Sequence, residues 1–549
     1  MTARALIIAL CAVAAAAQQA VGSVTLSAGT YTFVPGSKVA GAVAVGSVST
    51  MNSSASGFAE LSISTSAAFT DSEQMFAAGF LEGALTQPQI FLHSINMLAW
   101  IAGNFGGKPP PPEYEAFFTA QDAWARGNVA SNASVRWQGM GLILAQFDGL
   151  RAGYAAVAPP DQALSLYTFQ QMNAVGDLLD LIPALQPGSP HAAPWNWEEQ
   201  TTEQILDRAR KINHCSGLFA VTGNLSDVFW GHSAWFTYMG TNRIFKHYKF
   251  ALASPGMVGT AMSFSSYPAY LSSLDDFYIT WSTKLVMVET TNGIYNKSLY
   301  KLIVPESLWA WQRVRLANLV SPDGPTWGDV MAWHNSGTYN NAYGVLSLAN
   351  WTPGEALPPN FLTYVEQIPG LVYYGDVTRE LEKGHMPMYN VPFWPVIYET
   401  SGYKAVIDAK RNAAKYATLS EDPIAGLSYQ LAPRAKIFRR DAGKVDSLPS
   451  FISIMRYNDY LHDPYSSSPW DAICSRGDLA GGGGSPDGCY DTKASSYSSW
   501  ATQTSHIING PTVGDGSLPP FSWAQFPSVS HVGLPYVNNF TVSPTQPQW

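Results

Sequence analysis

Cys215 and His232 are the two residues whose types and spacing point most directly to chemistry in this chain. Cys215 stands in RKINHCSGLFAV, where a charged stretch changes into an apolar run, and His232 follows 17 residues later in WGHSAW. A thiol beside an imidazole can attack a carbonyl carbon as a nucleophile. A single cysteine is more often a small buried hydrophobe, and a single histidine is more often structural, so the hypothesis needs an element that brings the pair together.

A predicted β-hairpin can position this pair. The stretch TTEQILDRARKINH has a capping threonine and early acidic residues, which indicates a helix that ends just before Cys215. Two β-favouring runs follow, CSGLFAV and DVFWGHSAWFTY, and TGNLSD between them supplies turn residues. Cys215 therefore opens the first strand, and His232 lies on the returning strand beside it.

The rest of the chain predicts an α+β fold. Residues 23–70 have the short alternations typical of strands, and residues 72–214 have helical periodicity. After residue 215, strand and helix patterns interleave without the strict order of parallel βαβ units. The Pro-rich stretch LQPGSPHAAPWNW at 185–197 is an expected exposed linker and a candidate processing point.

The cysteine count assigns different roles to the thiols. The chain has four cysteines, and Cys11 falls in the N-terminal stretch that we expect to be removed, which leaves three. Cys474 and Cys489 flank the turn-rich segment SRGDLAGGGGSPDG, so we predict a disulfide between them. Closing a loop of that size contributes up to about 3 kcal/mol in the chain-entropy model. Cys215 is then the cysteine outside any disulfide.

The first seventeen residues are predicted to be a secretory signal peptide. Arg4 supplies the positive start, residues 6–13 form an apolar core, and alanines before Gln18 form a small-residue cleavage site. We therefore expect the mature protein in the secretory pathway, in the lysosome or outside the cell. Six N-x-S/T sequons agree with that route and are predicted glycosylation sites: Asn52, Asn132, Asn224, Asn296, Asn350 and Asn539.

Composition disfavours several classes of partner. The 549 residues are 46% hydrophobic and 13% charged, with a net charge of −9, so the chain lacks the basic surface that a nucleic acid needs. No later stretch has the roughly eighteen apolar residues of a transmembrane anchor. We find no H-E-x-x-H, no clustered histidines and no G-x-S-x-G, and we expect neither a metal nor a cofactor. The sequence leaves the oligomeric state open.

A series of collinear motifs resembles the phospholipase B-like proteins, which belong to the N-terminal nucleophile hydrolases. The motifs extend over nearly the whole mature chain and include NHCSGLF, SDVFWGHSAWFTY, FSSYPAYLSSLDDFY, VMVETTNGIYN, HNSGTYNNAY, EQIPGLV, APRAKIFRRD, MRYNDYLHDPYS and GCYDTK. The tail, from AICSRGDL through GCYDTK to INGPTV, is most similar to the phospholipase B-like 1 branch. FLEG at 80–83 departs slightly from the pattern of that family.

The resemblance implies a fold and a maturation step. The fold is a four-layer αββα sandwich, in which two stacked antiparallel sheets are covered by helices. The maturation step is self-cleavage between His214 and Cys215, which gives the cysteine an α-amino group. Residues 18–214 would then be an N-terminal fragment, strands followed by helices, that is retained in one composite domain with the nucleophile-bearing residues 215–549.

The resemblance also implies a set of site residues. His232 and Trp235 lie beside the Cys215 nucleophile, and Thr291 and Asn292 form a wall of the pocket. An asparagine of NSGTYNN is the oxyanion donor, and the choices in order are Asn341, then Asn335 and Asn340. Arg439 or Arg440 orients an anionic head group, and the alternative for these arginines is a surface ion pair with Asp441.

The function that follows is removal of fatty acyl chains from phospholipids by the thiol of an N-terminal cysteine. The freed α-amino group of Cys215 would serve as the base for its own thiol. One alternative is an amidase that acts on N-acyl or peptide amide bonds, because this fold often serves amide hydrolysis. A second alternative is a non-catalytic glycoprotein that binds ligands through its 18 tryptophans.

Overall fold

The computed structural model describes residues 19–51, 54–186, 196–212, 214–274, 277–414, 422 and 424–549. The predicted signal peptide, the sequon at Asn52 and most of the Pro-rich linker lie outside the described residues. No helix in these ranges is long and apolar enough to cross a membrane.

Two sheets contain all the strands of the described chain. The strands are β1 (Ala20–Ser27), β2 (Thr30–Pro35), β3 (Ala44–Val48), β4 (Ala59–Thr65), β5 (Ser216–Val221), β6 (Val228–Thr237), β7 (Ile244–Lys249), β8 (Ala261–Ser266), β9 (Phe277–Thr280), β10 (Leu285–Thr291), β11 (Asn341–Ser347), β12 (Leu362–Ile368), β13 (Leu371–Asp376), β14 (His385–Met388), β15 (Asp487–Ser496), β16 (Ser505–Asn509) and β17 (Ser543–Thr545). Sheet I has the order β13-β12-β11-β10-β9-β8-β7-β4-β3-β1-β2, and sheet II has the order β14-β5-β6-β15-β16-β17.

The α-helices fall mainly before β5 and between the later strands. They are α1 (Asp71–Leu85), α2 (Gln87–Gly103), α3 (Pro112–Ser131), α4 (Val135–Val157), α5 (Leu166–Asn173), α6 (Leu178–Leu185), α7 (Thr202–Ile212), α8 (Ala310–Val320), α9 (Gly324–Ala332), α10 (Thr378–Leu381), α11 (Pro395–Thr400), α12 (Tyr403–Ala414), α13 (Pro433–Asp441) and α14 (Leu448–Met455). The predicted helix before Cys215 is α7, and the predicted hairpin is β5 and β6.

The two sheets pack face to face, because their strands are apolar on both sides. Phe219 and Trp230 of sheet II share one buried cluster with Phe245, Val286 and Val288 of sheet I. Strands that are buried on both faces in this way read as continuous apolar runs rather than alternating ones. The β5 and β6 sequences are therefore uninterrupted β-favouring segments.

Helices cover the outer face of each sheet. A second cluster joins Phe229 of β6 to Val406 of α12, Phe438 of α13 and Phe451 of α14. On sheet I, α1 crosses α4 so closely that a Cβ at Gly79 would lie 1.9 Å from a backbone oxygen of α4. The predicted α+β class is thus confirmed.

The chain on either side of Cys215 contributes to the same sheet. β4 pairs in parallel with β7, and the other strand pairs are antiparallel. The strands β1 to β4, which come from the N-terminal part, therefore extend sheet I beyond β7. This pairing agrees with an N-terminal fragment that stays attached after a cut, which remains a prediction.

The remaining covalent predictions have different outcomes. The disulfide between Cys474 and Cys489 is confirmed, with an S–S distance of 2.00 Å. Glycosylation stays a prediction, and four of its sites are exposed: Asn132, Asn224, Asn350 and Asn539. Asn296 is half-buried, and its side-chain amide donates to the Thr400 carbonyl at 3.1 Å, so this amide is less available for a glycan.

Candidate active site

Cys215 occupies the junction between α7 and β5 in a strained backbone conformation. The residue is 1% exposed, is outside any disulfide and has a φ of +81°. A non-glycine residue in such a region costs about 1–3 kcal/mol and persists only where the surroundings impose it. The strained torsion directly follows the His214–Cys215 peptide bond.

The carbonyl oxygen of His214 is held by two hydrogen-bond donors. The Thr291 backbone N–H donates to it at 3.3 Å, and the Asn390 side-chain amide donates to it as well. The same Asn390 amide donates to the Thr291 carbonyl at 2.6 Å. Two donors on one carbonyl are the arrangement that stabilises an oxyanion when a nucleophile adds to the carbon.

Arg434 holds both Cys215 and Asn390 in position through hydrogen bonds. Its guanidinium donates to the Cys215 carbonyl at 2.6 Å and to Ser216 Oγ at 3.0 Å. It also donates to Asn390 Oδ1 at 2.5 Å, which turns the amide nitrogen of that side chain toward His214. Burial lowers the pKa of Arg434 to about 9, and negative charge on Cys215 acts in the opposite direction.

The Cys215 thiol lies among polar groups of three strands. The Trp235 backbone N–H points at Sγ from 3.5 Å. Sγ, a ring nitrogen of His232 and a carboxylate oxygen of Glu289 all lie within 4.8 Å of one another. The β5–β6 register places His232 opposite Gly217, so the hairpin brings the imidazole to the start of β5 as predicted from the sequence.

His232 is held neutral by a buried chain of charges. Lys493 Nζ lies 2.9 Å from His232 Nδ1 and 2.6 Å from an oxygen of Asp491, whose other oxygen pairs with Arg243 at 2.9 Å. Burial, followed by the charges of Lys493 and Arg243, lowers the pKa of His232 well below its usual value. Because an ammonium donates to Nδ1, the ring proton lies on Nε2 and His232 is a hydrogen-bond donor there.

Cys215, His232 and Glu289 together form a possible set of metal ligands, although the sequence predicts no metal site. A thiol, an imidazole and a carboxylate are ligand types that zinc accepts. The spacing of these three residues in the sequence does not match a known metal-binding motif. The Lys493 ammonium next to His232 places a positive charge beside the same ring, which opposes a cation there.

A cavity of about 680 Å³ opens next to Cys215. His214, Trp235, Thr291 and Asn292 line it, whereas Cys215 itself does not. The other lining residues include two acids, Asp180 and Asp487, and many aromatic and cationic side chains: Trp100, Trp197, Arg208, Lys211, Phe236, Tyr295, Lys297, Tyr300, Lys301 and Trp470. In the uncut chain His214 therefore faces the cavity and Cys215 does not.

The predicted oxyanion asparagines hold other positions. Asn341 begins β11 opposite Thr291, and its amide donates to the Tyr343 hydroxyl at 3.0 Å. The Asn340 amide donates to the Gly337 carbonyl at 3.0 Å, and Asn335 closes the same turn. Among the hydrogen bonds of the described residues, none of the three contacts the His214 carbonyl, whereas the Asn390 amide does, and their role as oxyanion donors stays a prediction.

The structure does not bring Arg439 and Arg440 to the site. Arg439 is exposed and bonds Gln430, and Arg440 is exposed and pairs with Asp441 and Asp463. Arg434 of the same helix is the residue that reaches Cys215. At 100° per residue, Arg439 lies about 140° around the helix from Arg434 and therefore faces solvent.

Sequence reasoning missed four residues of this site: Glu289, Asn390, Arg434 and Lys493. Three of them fall inside motifs that carry the family resemblance, namely VMVETTNGIYN, APRAKIFRRD and GCYDTK. Asn390 stands in MYNVP, and only its φ of +68° distinguishes it, a backbone value that asparagine tolerates better than most residues. That signal is visible only in the folded chain.

Glu366 is a buried carboxyl that accepts a hydrogen bond from the cavity residue Asn292, and it predicts how the stability of the fold depends on pH. Burial raises the pKa of this carboxyl to about 8, although the backbone N–H groups of Phe393 and Trp394 donate to it at 2.8 and 3.0 Å. Its folded pKa therefore exceeds the unfolded value of about 4.5, so this group destabilises the fold progressively as pH rises from about 5 to 8. We expect Glu366→Gln to remove that slope, worth about 1.4 kcal/mol per pH unit.

Urea unfolding of wild type and Glu366→Gln at pH 5, 6, 7 and 8 measures this slope. The free energy of unfolding of the variant should increase relative to that of wild type as pH rises. The loss of one acceptor oxygen adds a difference that does not depend on pH. Glu355→Gln, at an exposed glutamate, is the matched control. A difference between variant and wild type that does not change with pH contradicts the prediction.

Comparison with known proteins agrees with the resemblance of the motifs. The family model described as Phospholipase B matches residues 45–544. Phospholipase B-like 1 of Homo sapiens is 41% identical over 471 residues, which are 85% of this chain and 80% of that protein. Phospholipase-B 81 of Drysdalia coronoides is 41% identical over 470 residues, 85% of this chain and 81% of that protein. Phospholipase B-like protein D of Dictyostelium discoideum is 35% identical over 498 residues, 89% of this chain and 85% of that protein. The chain therefore belongs to the phospholipase B family.

Proposed function

We propose that this chain is an acyl hydrolase that cuts itself before Cys215 and then uses the Cys215 thiol to remove fatty acyl chains from phospholipids. The observation that carries the proposal is the pair of donors on the His214 carbonyl, supplied by Thr291 and Asn390. Stacked sheets between helical layers, with the cysteine at the start of an inner strand, support an N-terminal nucleophile αββα sandwich.

The first reaction is an acyl shift within the chain. Sγ of Cys215 loses its proton and attacks the His214 carbonyl carbon, and the oxyanion forms between the Asn390 amide and the Thr291 N–H. The C–N bond then breaks while the Cys215 nitrogen takes up the proton, which leaves a thioester. Water adds to the thioester carbonyl, the C–S bond breaks, and the products are a carboxylate at His214 and a free thiol and α-amino group at Cys215.

The second reaction uses the new amine. An α-amino group has a pKa of about 7.7–8.0, so part of it is neutral near pH 7 and can take the thiol proton. The Arg434 guanidinium, 2.6 Å from the Cys215 carbonyl, disfavours a protonated amine and stabilises a thiolate. Sulfur attacks the ester carbonyl, the glycerol oxygen leaves with the proton from the ammonium, and water hydrolyses the acyl thioester.

The cavity supports a substrate with an apolar portion. Trp235, Phe236, Trp100 and Leu179 line it, and the Phe236 ring lies 5.6 Å from the His214 ring. A volume of about 680 Å³ falls in the range of sites for small molecules. Trp197, Arg208 and Lys211 belong to residues 196–212, so this segment forms part of the cavity wall in the uncut chain.

We propose a secretory route for the protein, on the basis of its N-terminal stretch and its sequons. The lysosome or the extracellular space is the destination. An oxidising compartment agrees with the Cys474–Cys489 disulfide.

The experiment that tests the function follows the wild-type chain through both reactions. Purified precursor is incubated at pH 5 and pH 7, its fragments are sequenced from their N-termini, and fatty acid release from diacyl phospholipids is measured in the same samples. We expect a fragment that begins at Cys215, with hydrolysis rising in step with its formation.

Three outcomes contradict the proposal in different ways. An intact chain that releases fatty acid shows that the cut is not needed. A processed chain that cleaves N-acyl amides and not phospholipids indicates an amidase. A processed chain that is inactive on both substrate classes indicates a binding protein.

A further inference from the structure

The cavity carries more fixed positive charge than the acyl chemistry needs. Four cationic side chains line it, Arg208, Lys211, Lys297 and Lys301, against the two carboxyls of Asp180 and Asp487. Burial raises the pKa of Asp180 to about 7, and burial also raises that of Asp487. With four cations against two carboxyls, the lining of the cavity has an excess of positive charge, and protonation of Asp180 below neutral pH increases it.

Two of these cations remain if residues before the cut leave the site. Arg208 and Lys211 belong to α7, which ends just before His214, whereas Lys297 and Lys301 lie in the part that follows Cys215. Among the residues that the structure describes, no carboxylate forms an ion pair with Lys297 or Lys301. Glu198 and Glu199 act on Lys297 only at longer range, and burial and the Arg208 charge lower its pKa.

A continuous stretch of chain connects these lysines to the oxyanion donor. Thr291, Asn292, Gly293, Ile294, Tyr295, Lys297, Tyr300 and Lys301 all line the cavity. The six peptide links between Thr291 and Lys297 span at most about 20 Å. Lys301 lies four residues further along the chain and lines the same cavity. Because both lysines share this cavity with His214 and Thr291, a lipid bound with its ester carbonyl near Cys215 can present its head group to them.

We propose that Lys297 and Lys301 form the head-group subsite of this cavity and select acyl substrates with a net anionic head group. A phosphate without a compensating ammonium, as in phosphatidate or phosphatidylglycerol, fits this subsite better than a zwitterionic head group. The ammonium of a zwitterion meets the same two lysines and is repelled. The inference rests on the proposed function and specifies its substrate class.

The test separates the head group of a single molecule from the charge of a lipid surface. Dihexanoyl phosphatidylglycerol and dihexanoyl phosphatidylcholine are used as monomers below their micellar concentrations, because the charge of a lipid surface would act on the whole protein and not on the cavity alone. KM and kcat are measured for the processed wild type and for Lys297→Ala/Lys301→Ala. Lys383→Ala/Lys404→Ala removes the same charge at two exposed lysines outside the cavity and is the matched control.

We expect wild type to have the lower KM for the anionic substrate. The cavity variant should raise that KM by about tenfold, the loss expected for charge-assisted hydrogen bonds at a partly exposed site, with kcat little changed. Its KM for the zwitterionic substrate should change less than about twofold, and the control should behave as wild type. Free glycerol phosphate as a competitor distinguishes recognition of the phosphate alone from recognition of the whole lipid.

Equal effects of the cavity variant on both substrates, or no effect on either, overturn the subsite while the proposed function stands. The N-terminus at Cys215 is sequenced in every variant, so a processing defect is recognised as such. If wild type hydrolyses neither substrate, the proposed function fails rather than the subsite.

Discussion

Cys215→Ala is expected to remain a single uncut chain and to release no fatty acid. The substitution removes the sulfur that attacks the His214 carbonyl and also the nucleophile of the mature site. Alanine is small and apolar at a fully buried position, so the fold should be retained. Both losses should exceed about 10³-fold, because no other nucleophile replaces the thiol.

Cys215→Ser separates the two roles of this residue. A hydroxyl is a weaker nucleophile than a thiol, so slow cleavage over hours to days is expected with little hydrolysis of lipid. Denaturing gels, N-terminal sequencing and fatty acid release are followed for wild type, Cys215→Ala and Cys215→Ser in parallel, with circular dichroism as the check on folding. Cleavage of Cys215→Ala at the same bond points to an external protease.

The sequence predicted the parts of the site that depend on local pattern. The cysteine count identified Cys215, and the β5–β6 hairpin placed His232 beside it, because the pairing of two strands joined by a short turn is largely fixed by that turn. The disulfide was predictable for the same local reason, since only a flexible loop separates its two cysteines. These features need no knowledge of distant contacts.

The rest of the site depends on contacts between distant segments. Asn390 and Arg434 reach His214 and Cys215 across 176 and 219 residues of chain. Lys493 reaches His232 across 261 residues through the β6–β15 pairing. Composition and periodicity carry no information on such pairings. The family resemblance led to Asn341 and Arg439, whereas the residues that contact His214 and Cys215 in the structure include Asn390 and Arg434.

The Asn390 side chain donates to the His214 carbonyl and also to the Thr291 carbonyl. Asn390 adopts a φ of +68° in this arrangement. Arg434 then occupies Oδ1, so only the amide nitrogen remains to face His214. Because Nδ2 donates to both the His214 and the Thr291 carbonyls, it also keeps Thr291, the other donor, in place.

Asn390→Asp is therefore expected to slow self-cleavage by about 10²- to 10³-fold, the usual cost of losing one oxyanion donor. A carboxylate at this position presents oxygen to two carbonyls and opposes the oxyanion, although it still accepts from Arg434. Asn390→Ala removes the donor without adding charge and should show a similar loss. The rate is measured as the fraction of chain cut at His214 over time after purification.

Asn360 supplies the matched control for this prediction. It has a φ of +59°, is exposed and lies outside the cavity lining, so Asn360→Asp and Asn360→Ala test the backbone cost of replacing asparagine in that conformation. Wild-type cleavage rates in these controls, together with a slow but folded Asn390→Asp, assign the effect to the oxyanion. A rapid cut in both Asn390 variants leaves the Thr291 N–H as sufficient and removes Asn390 from the mechanism.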